Sequence, residues 1–304
     1  MFLFGFTSQV LSLTAAVGGG AAVLAVVAVT VVLVCIAALW HGLTVPRYEV
    51  ESSKLKGGQF IRIVHISDLH SSRYGKGQEK LLRNIRELMP DLIFLTGDNI
   101  DDLRKRDAAY ELLEGLKDLG TAVYFVYGNH ELKISDIAEV NEKLRECGVN
   151  ILDMSGTKIR CGGALVYIAG SNDPFAFADG DEYAAKFAEA FDEAHDIPQL
   201  KLLLSHRPEK WEIYKNGGFD IAFSGHAHGG QVRIPRLVNG LFAPGQGLLP
   251  KRAGGIYTDD GFVHIVSRGL CRFWDLPRVF NPPELVLCVV KGIGKQKKNK
   301  QESE

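Results

Sequence analysis

The stretch FIRIVHISDLH, residues 60–70, decides the fold. Its apolar residues are dense over the length of one strand, which is typical of a strand covered on both faces, although so short a run also fits a buried helix. The run ends at Asp68 and His70, and both side chains are metal ligands by chemistry. Four later apolar stretches end in the same way, at Asp, Asn or His. The pattern therefore predicts strands whose ends supply ligands for two metal ions.

Helical and strand patterns alternate along the chain after this stretch. Leucines at helical spacing predict helices over residues 78–89 and 108–119, and buried runs predict strands over 92–96 and 122–127. Strands and helices connected this closely favour right-handed crossovers and a largely parallel sheet, whose ligands gather at the carboxyl ends of the strands. After His228, turns rich in Gly and Pro predict a second, more antiparallel sheet.

Composition limits the class of protein. The 304 residues are 46% hydrophobic, enough for a substantial core. Lys and Arg total 35 against 36 Asp and Glu, so no basic field points to nucleic acid, and none is expected as a partner. The five cysteines are isolated and form no CxxC. We interpret them as small core residues rather than as a disulfide framework or a zinc site.

The N-terminal part contains an uncharged apolar stretch, AAVLAVVAVTVVLVCIAALW, at residues 21–40. It is long enough to cross a hydrocarbon core of about 30 Å as a helix, and we interpret it as a transmembrane anchor. A secretory signal peptide is the alternative, but residues 1–20 contain no Lys or Arg. Basic residues follow the span, which favours a single-pass protein with a cytoplasmic catalytic domain.

This interpretation divides the chain into four parts. Residues 1–45 are the N-terminal segment with the anchor, and residues 46–59, which are polar and contain Gly57-Gly58, are a short linker. Residues 60–290 are the catalytic domain. Residues 291–304, rich in lysine, are expected to be a disordered tail.

The candidate site combines carboxylates, an amide and imidazoles. In chain order the residues are Asp68, His70, Asp98, Asn129, His130, His206, His226 and His228. This mixture suits Mn²⁺, Fe²⁺ or Zn²⁺, and the absence of thiolates argues against a structural zinc site. Two metals about 3.5–4 Å apart can clamp a phosphoryl group, and one carboxylate must bridge them, for which Asp98 is the candidate. Taken singly, Asp98 and Asn129 also fit turn roles.

In these motifs the sequence resembles the calcineurin-like metallophosphoesterase family over roughly residues 60–290. The motifs occur in order as Asp68-Leu69-His70, Gly97-Asp98-Asn99, Gly128-Asn129-His130-Glu131, His206 and Gly225-His226-Ala227-His228. The resemblance implies an α/β four-layer sandwich of two mixed β-sheets flanked by helices.

The resemblance also implies a role for each residue. Asp68, His70 and His228 would bind the first metal. Asn129, His206 and His226 would bind the second, with Asp98 bridging the pair. His130 would be catalytic rather than a ligand, because in such enzymes it lies by the scissile phosphate and protonates the leaving oxygen or stabilises the transition state.

The stretches after the last histidines resemble the membrane-attached branch of the family, which includes YkuE-like and YaeI-like phosphodiesterases. They are HGGQVRIP at residues 228–235, SRGL at 267–270 and PEL at 283–285. Related membrane-associated enzymes hydrolyse the pyrophosphate of UDP-diacylglucosamine. The resemblance therefore implies hydrolysis of a phosphodiester or pyrophosphate bond, with an amphiphilic, lipid-linked substrate as the specific expectation.

Several alternatives stay open. Arg233 and Arg268 are candidates for binding a substrate phosphate through a planar fork of donors, but surface ion pairs explain them equally well. A phosphomonoesterase or protein phosphatase of the same fold would carry the same ligands. A non-catalytic docking module would keep the fold and use it as a binding surface.

Overall fold

The computed structural model describes residues 20–273 and 278–293, in which strands and helices alternate through most of the chain. The strands are β1 (Arg47–Lys56), β2 (Phe60–Ile66), β3 (Leu92–Thr96), β4 (Ala122–Val126), β5 (Val149–Ile151), β6 (Ser155–Cys161), β7 (Ala164–Gly170), β8 (Leu200–Leu204), β9 (Ile221–Ser224), β10 (Phe242–Ala243), β11 (Gly247–Leu248), β12 (Gly255–Asp259), β13 (Phe262–Val266) and β14 (Val286–Ile293). The helices are α1 (Gly20–Ala38), α2 (Glu79–Glu87), α3 (Asp107–Lys117), α4 (Ile137–Glu146), α5 (Gly180–Phe191) and α6 (Trp211–Asn216).

The strands form two six-stranded mixed sheets. The first has the order β1-β14-β2-β3-β4-β5, with β2 to β5 parallel and β14 antiparallel to β2. The second has the order β12-β13-β9-β8-β7-β6, with the four inner strands parallel and an antiparallel strand at each edge. Because parallel neighbours end at the same edge, each sheet presents its loops together.

Apolar side chains fill three layers. Ile63 and Phe94 of the first sheet pack with Phe223 of the second, and this layer holds the two sheets together. Helices α2, α3 and α4 cover the outer face of the first sheet, and α5 and α6 cover that of the second. The predicted four-layer sandwich is therefore confirmed, and β3 has the predicted bounds.

The predicted linker at residues 46–59 was wrong. Residues Arg47–Lys56 form β1, which pairs in parallel with β14 at the edge of the first sheet. Only Val50 and Leu55 of this strand are buried, so its composition is that of a half-exposed edge strand. The partner strand lies near the other end of the described chain, which is why the local pattern did not indicate pairing.

The strands after His228 also differ from the prediction. They do not build a separate antiparallel sheet, because β12 and β13 extend the second sheet and β14 returns to the first. Of the named strands in the described residues, β10 and β11 alone pair apart from these sheets, as a short antiparallel hairpin. Residues 1–19 and, beyond residue 293, the predicted basic tail lie outside the described residues.

Helix α1 is long and apolar enough to cross a membrane, with a mean hydropathy of 3.0. Most of its surface is exposed, so it projects from the domain instead of packing into its core. Its carboxyl end does contact the domain, because the amide of Phe280 donates to the carbonyl of Ala38 at 2.7 Å.

Candidate metal centre

The predicted ligand residues lie in loops at the carboxyl ends of five parallel strands. Asp68 and His70 follow β2, Asp98 follows β3, and Asn129 and His130 follow β4, all in the first sheet. In the second sheet His206 follows β8, while His226 and His228 follow β9. The loops of the two sheets meet directly, since the amide of His226 donates to Asp68 Oδ1 at 2.9 Å. The site therefore straddles both sheets.

Within the site the side chains form two neighbouring clusters of predicted ligands, and a third group, His70, Asp101 and His130, shares His70 with the first of them. The ligand atoms of each cluster lie within 4.8 Å of one another, and the members are Asp68, His70 and His228 in one and Asp98, His206 and His226 in the other. Asp98 Oδ2 lies 3.0 Å from His206 Nε2 and 3.8 Å from His70 Nε2, so this carboxylate faces both clusters. The division of ligands between two metals stays a prediction.

The residues present fit divalent cations. His70 Nε2 and Asn129 Oδ1 are buried at the site without a hydrogen-bond partner in the described part of the chain. Each atom therefore has a lone pair available to bind a metal ion. Burial opposes protonation of His206, yet the Asp98 carboxylate raises its pKa to about 10. The clusters therefore attract positive charge, and their oxygen and imidazole donors suit ions of intermediate hardness.

Left-handed backbone conformations mark the loops that carry these ligands. Asp68, His70, Asp98, His226 and His228 have φ between 45° and 63°. Such conformations cost of order 1–3 kcal/mol each in non-glycine residues and persist where the surroundings enforce them. Five of the fourteen described non-glycine residues with positive φ are candidate ligands, and such clustering within one site is typical of a functional site.

Close contact between loops also requires glycine at residue 225. A Cβ atom at Gly225 would lie 1.8 Å from Ser67 Oγ and 2.2 Å from Asp68 Oδ2. No side chain fits there, so the approach of the two sheets at the site depends on this glycine.

Glu131 holds two of the first-sheet loops together, a role that the sequence did not predict. Its buried carboxylate accepts four backbone N–H groups at 2.7–2.9 Å, from Asp98, Asn99, Ile100 and Gly128. One side chain thus connects the loop after β3 to the loop after β4. The sequence signal was present in the Gly-Asn-His-Glu motif, but three of the four hydrogen-bond partners of Glu131 lie about 30 residues away.

Two consecutive aspartates orient two imidazoles and were also missed. His70 Nδ1 donates to Asp101 Oδ2 at 2.9 Å, and His130 Nδ1 donates to Asp102 Oδ1 at 2.5 Å. Each bond fixes the proton on Nδ1 and leaves Nε2 free to face the site. Burial opposes the charged form of His70, but Asp101, Asp98 and Asp68 together outweigh it and raise the pKa of the imidazole.

Arg207 is a further missed residue at the second-sheet side of the site. Its guanidinium binds the buried Asp173 carboxylate through Nε at 2.6 Å and Nη2 at 3.2 Å. Nη1 lies 2.8 Å from His226 Nε2, which therefore accepts, while His226 Nδ1 faces His206 Nε2 at 3.1 Å. A guanidinium fixed in this way can receive an anion at the edge of the clusters. Its only sequence signal was its place next to His206.

Arg233 and Arg268 lie elsewhere. Arg268 Nε donates to the buried Glu284 carboxylate at 2.6 Å, and Nη2 reaches Thr44 Oγ1 at 3.3 Å. Arg233 donates to the carbonyl of Gly229 and to the side chain of Asn239. None of these contacts involves the eight predicted side chains. The role of both arginines in substrate binding stays a prediction.

Residues 61–230 match the family model described as calcineurin-like phosphoesterase. An uncharacterized metallophosphoesterase of Aquifex aeolicus is 29% identical over 83% of this chain and 93% of its own length. The phosphodiesterase YaeI of Escherichia coli is 28% identical over 60% of this chain and 66% of its own length. The UDP-2,3-diacylglucosamine pyrophosphatase LpxG of Chlamydia muridarum is 25% identical over 76% of this chain and 83% of its own length.

Proposed function

The chain belongs to the calcineurin-like phosphoesterase family, and we propose that it is a membrane-anchored phosphoesterase that hydrolyses a phosphodiester or pyrophosphate bond with two divalent metal ions. Membership makes it a metal-dependent phosphoric ester hydrolase, as its phosphodiesterase and pyrophosphatase relatives are. The kind of bond and a lipid-linked substrate, such as UDP-diacylglucosamine, are our proposal.

One observation carries the catalytic part of the proposal. Carboxylate and imidazole groups from both sheets converge in two adjacent clusters, with Asp98 facing both. Metal ions bound there would supply a polarised water and would neutralise charge developing on phosphorus. The chain itself holds the ligands in place, through the Glu131 carboxylate and the Asp101 imidazole contact.

His130 is the proposed catalytic residue. It is partly exposed at the edge of the clusters, its ring lies 4.6 Å from that of His70, and Asp102 holds its Nδ1. Nε2 can therefore carry a proton towards the leaving oxygen or donate a hydrogen bond to the transition state. Such help is typically worth about 10²–10⁴-fold in rate.

Arg207 is the proposed phosphate-binding residue, in addition to the weaker candidates Arg233 and Arg268. Asp173 fixes its guanidinium in a plane and leaves Nη1 at the second cluster. Because Arg presents a rigid fork of donors, this position favours an oxygen of the phosphoryl group over a neutral ligand.

The membrane part of the proposal rests on short connections between α1 and the site. Phe280 donates to the carbonyl of Ala38 at the end of α1, and its neighbour Asn281 donates to the carbonyl of His228 at 2.7 Å. A site so close to the end of a membrane-spanning helix would lie near the lipid surface. This favours an amphiphilic substrate, with the domain on the cytoplasmic side as the charge pattern predicts. A reporter fused after residue 293 tests that side.

Assays on the full-length protein in detergent test the function. The protein is stripped with chelator, reloaded with Mn²⁺ or Zn²⁺, and its metal content is measured. We expect hydrolysis of bis-aryl phosphates and of UDP-diacylglucosamine in mixed micelles. Turnover of phosphomonoesters alone would favour the phosphomonoesterase alternative, and no turnover by fully loaded protein would reject the proposal.

The docking-module alternative is tested by His130→Ala. A docking module has no turnover to lose, whereas the proposed enzyme loses most of its rate while its metal content is unchanged. Met89→Ala, which changes an exposed side chain before β3, is the matched control and should retain full activity.

A further inference from the structure

Exposed apolar side chains concentrate in one stretch of the domain, residues 234–249. Leu237 is 82% exposed, Leu248 74% and Leu249 65%. The complete set, which we call the apolar lip, is Ile234, Leu237, Leu241, Phe242, Leu248 and Leu249. Single exposed apolar residues are common on soluble proteins, but a continuous group marks a surface that another phase or partner covers.

Backbone hydrogen bonds make the lip one surface. Ile234 and Val238 form a tight hairpin, with Leu237 at its tip. Phe242 and Leu248 are directly opposite each other in the β10–β11 pair, and the amide of Leu249 donates to the carbonyl of Leu241 at 2.8 Å. The amide of Leu241 donates to the carbonyl of Val232 at 2.8 Å, so the backbone just before the second hairpin is joined to the backbone just before the first.

The charge around the lip has one sign. From residue 229 to residue 258 the sequence contains no Asp or Glu but four basic residues. Arg236 at the first hairpin and Lys251 after the second are exposed. Apolar side chains flanked by basic ones, without acidic residues, suit the boundary between acyl chains and anionic headgroups.

The lip also lies between α1 and the metal centre. At its base the amide of Arg233 donates to the carbonyl of Val279, and the next residue, Phe280, donates to Ala38 at the end of α1. On the other side the amide of Leu241 donates to the carbonyl of Gly230, in the loop that carries His228. A surface continuous with both elements faces the bilayer if α1 spans it.

We propose that the apolar lip inserts into the lipid surface beside α1, with Arg236 and Lys251 on anionic headgroups, and so holds the mouth of the metal centre at the membrane. The inference rests on the proposed membrane anchor and deepens the proposed lipid-linked substrate. Insertion into lipid explains why a stretch next to the ligand loops has large apolar side chains that are exposed.

The test uses the full-length chain in vesicles of phosphatidylcholine and phosphatidylglycerol. Cys35 and Cys161 are changed to alanine, and the fluorophore NBD is attached at Leu237→Cys or Leu248→Cys. Met89→Cys is the matched control, because Met89 is a 65% exposed apolar residue before β3, at the opposite end of the sheet from the site. Lipids carrying doxyl groups on their acyl chains serve as quenchers.

We expect doxyl lipids to reduce the emission of labels 237 and 248 at least about twofold, because apolar groups at an interface lie about 5–10 Å into it. The label at residue 89 should not be quenched. Removing phosphatidylglycerol should weaken quenching, as should Arg236→Glu combined with Lys251→Glu. Unquenched labels in polar surroundings overturn the proposal. So do blue-shifted but unquenched labels, which would mean that a protein or a second copy covers the lip.

A second measurement separates the lip from catalysis. Leu237→Asp with Leu248→Asp should lower turnover of UDP-diacylglucosamine in vesicles about a hundredfold, since each of the two buried leucines is worth about a factor of ten, and should leave bis-aryl phosphate hydrolysis unchanged. Wild-type protein that hydrolyses neither substrate refutes the proposed function, while quenching still decides the lip. Release of the protein from vesicles by carbonate refutes the anchor, and unquenched labels on carbonate-resistant protein refute the lip alone.

Discussion

The two sheets support the imidazoles of the site in different ways. On the first-sheet side, His70 and His130 each donate Nδ1 to a carboxylate, that of Asp101 or Asp102. On the second-sheet side no carboxylate meets Nδ1 of the described histidines, although Asp98 of the first sheet lies 3.0 Å from His206 Nε2. His206 Nδ1 meets the carbonyl of Thr96 at 2.8 Å, and His226 Nε2 meets the guanidinium of Arg207 at 2.8 Å.

This difference assigns different tasks to the two sides. A carboxylate on Nδ1 increases the basicity of an imidazole, which favours metal or proton binding at Nε2. Burial, then His206 and Arg207, hold the pKa of His226 well below its usual range, so this imidazole stays neutral. Because Arg207 adds a positive charge there, we infer that the first-sheet side supplies the proton donor, and that the second-sheet side receives the phosphate beside the second cluster.

Asp98 connects both sides, and its removal should have the largest effect. Asp98→Asn keeps the shape but removes the charge that faces both clusters. Loss of a general acid typically lowers the rate about 10²–10⁴-fold. We expect the activity of Asp98→Asn to fall by more than this, and its metal content to be reduced. Rates and metal analysis measure both. The control is Asp91→Asn at the opposite end of β3, where Asp91 binds Arg62. An active Asp98→Asn protein with full metal content would contradict a bridging role.

The aspartate pair offers the next largest effect. Asp101→Asn and Asp102→Asn each remove one supporting carboxylate, and such partners are typically worth 10–100-fold. For Asp101→Asn we expect weaker metal binding, because His70 is a proposed ligand. For Asp102→Asn we expect lower kcat with unchanged metal affinity, because His130 is not. Metal titration and kcat at saturating metal separate the two, and identical profiles would show that the imidazoles share one role.

The same contrast explains what the sequence could predict. Asp68 and His70 were found because a buried strand ends at them, and a run of apolar residues is a local pattern. Their supports were missed because each depends on a contact that folding creates. Glu131 accepts amides about 30 residues earlier in the chain, and β1 pairs with a strand near the other end.

Arginines show the same limit. Arg233 and Arg268 were predicted to bind substrate because they lie in sequence motifs, but Arg268 binds Glu284 within the fold. Arg207 had no comparable motif, and only folding brings it to Asp173 and to His226. Residue type and spacing therefore predict ligands well, whereas the groups that orient them follow from tertiary contacts.

Arg207→Lys should have a moderate effect confined to substrate binding. Lysine keeps the charge but not the planar fork, so about 1.5 kcal/mol of a charge-assisted hydrogen bond is lost, or roughly tenfold in KM. We expect kcat to change less. Arg268→Lys is the matched control, and we expect its KM to stay unchanged while its melting temperature falls, because the contact with Glu284 weakens. A KM increase in the Arg268 variant alone would reverse the assignment.

The smallest effect should appear in the loops when metals are removed. Glu131 binds the loops after β3 and β4 through four amides, so they keep their support without ions. The loop after β9 carries two of the candidate ligands, His226 and His228, and is held by separate contacts with Asp68, Asn281 and Leu241 rather than by one shared carboxylate. In hydrogen–deuterium exchange of the full-length protein, chelation should speed exchange at residues 225–231 about tenfold, equal to about 1.4 kcal/mol of local stability. Residues 97–100 should change much less. Equal changes in both loops would mean that the ions, rather than Glu131, hold the first-sheet side, and the contrast between the two sheets would not extend to their stability.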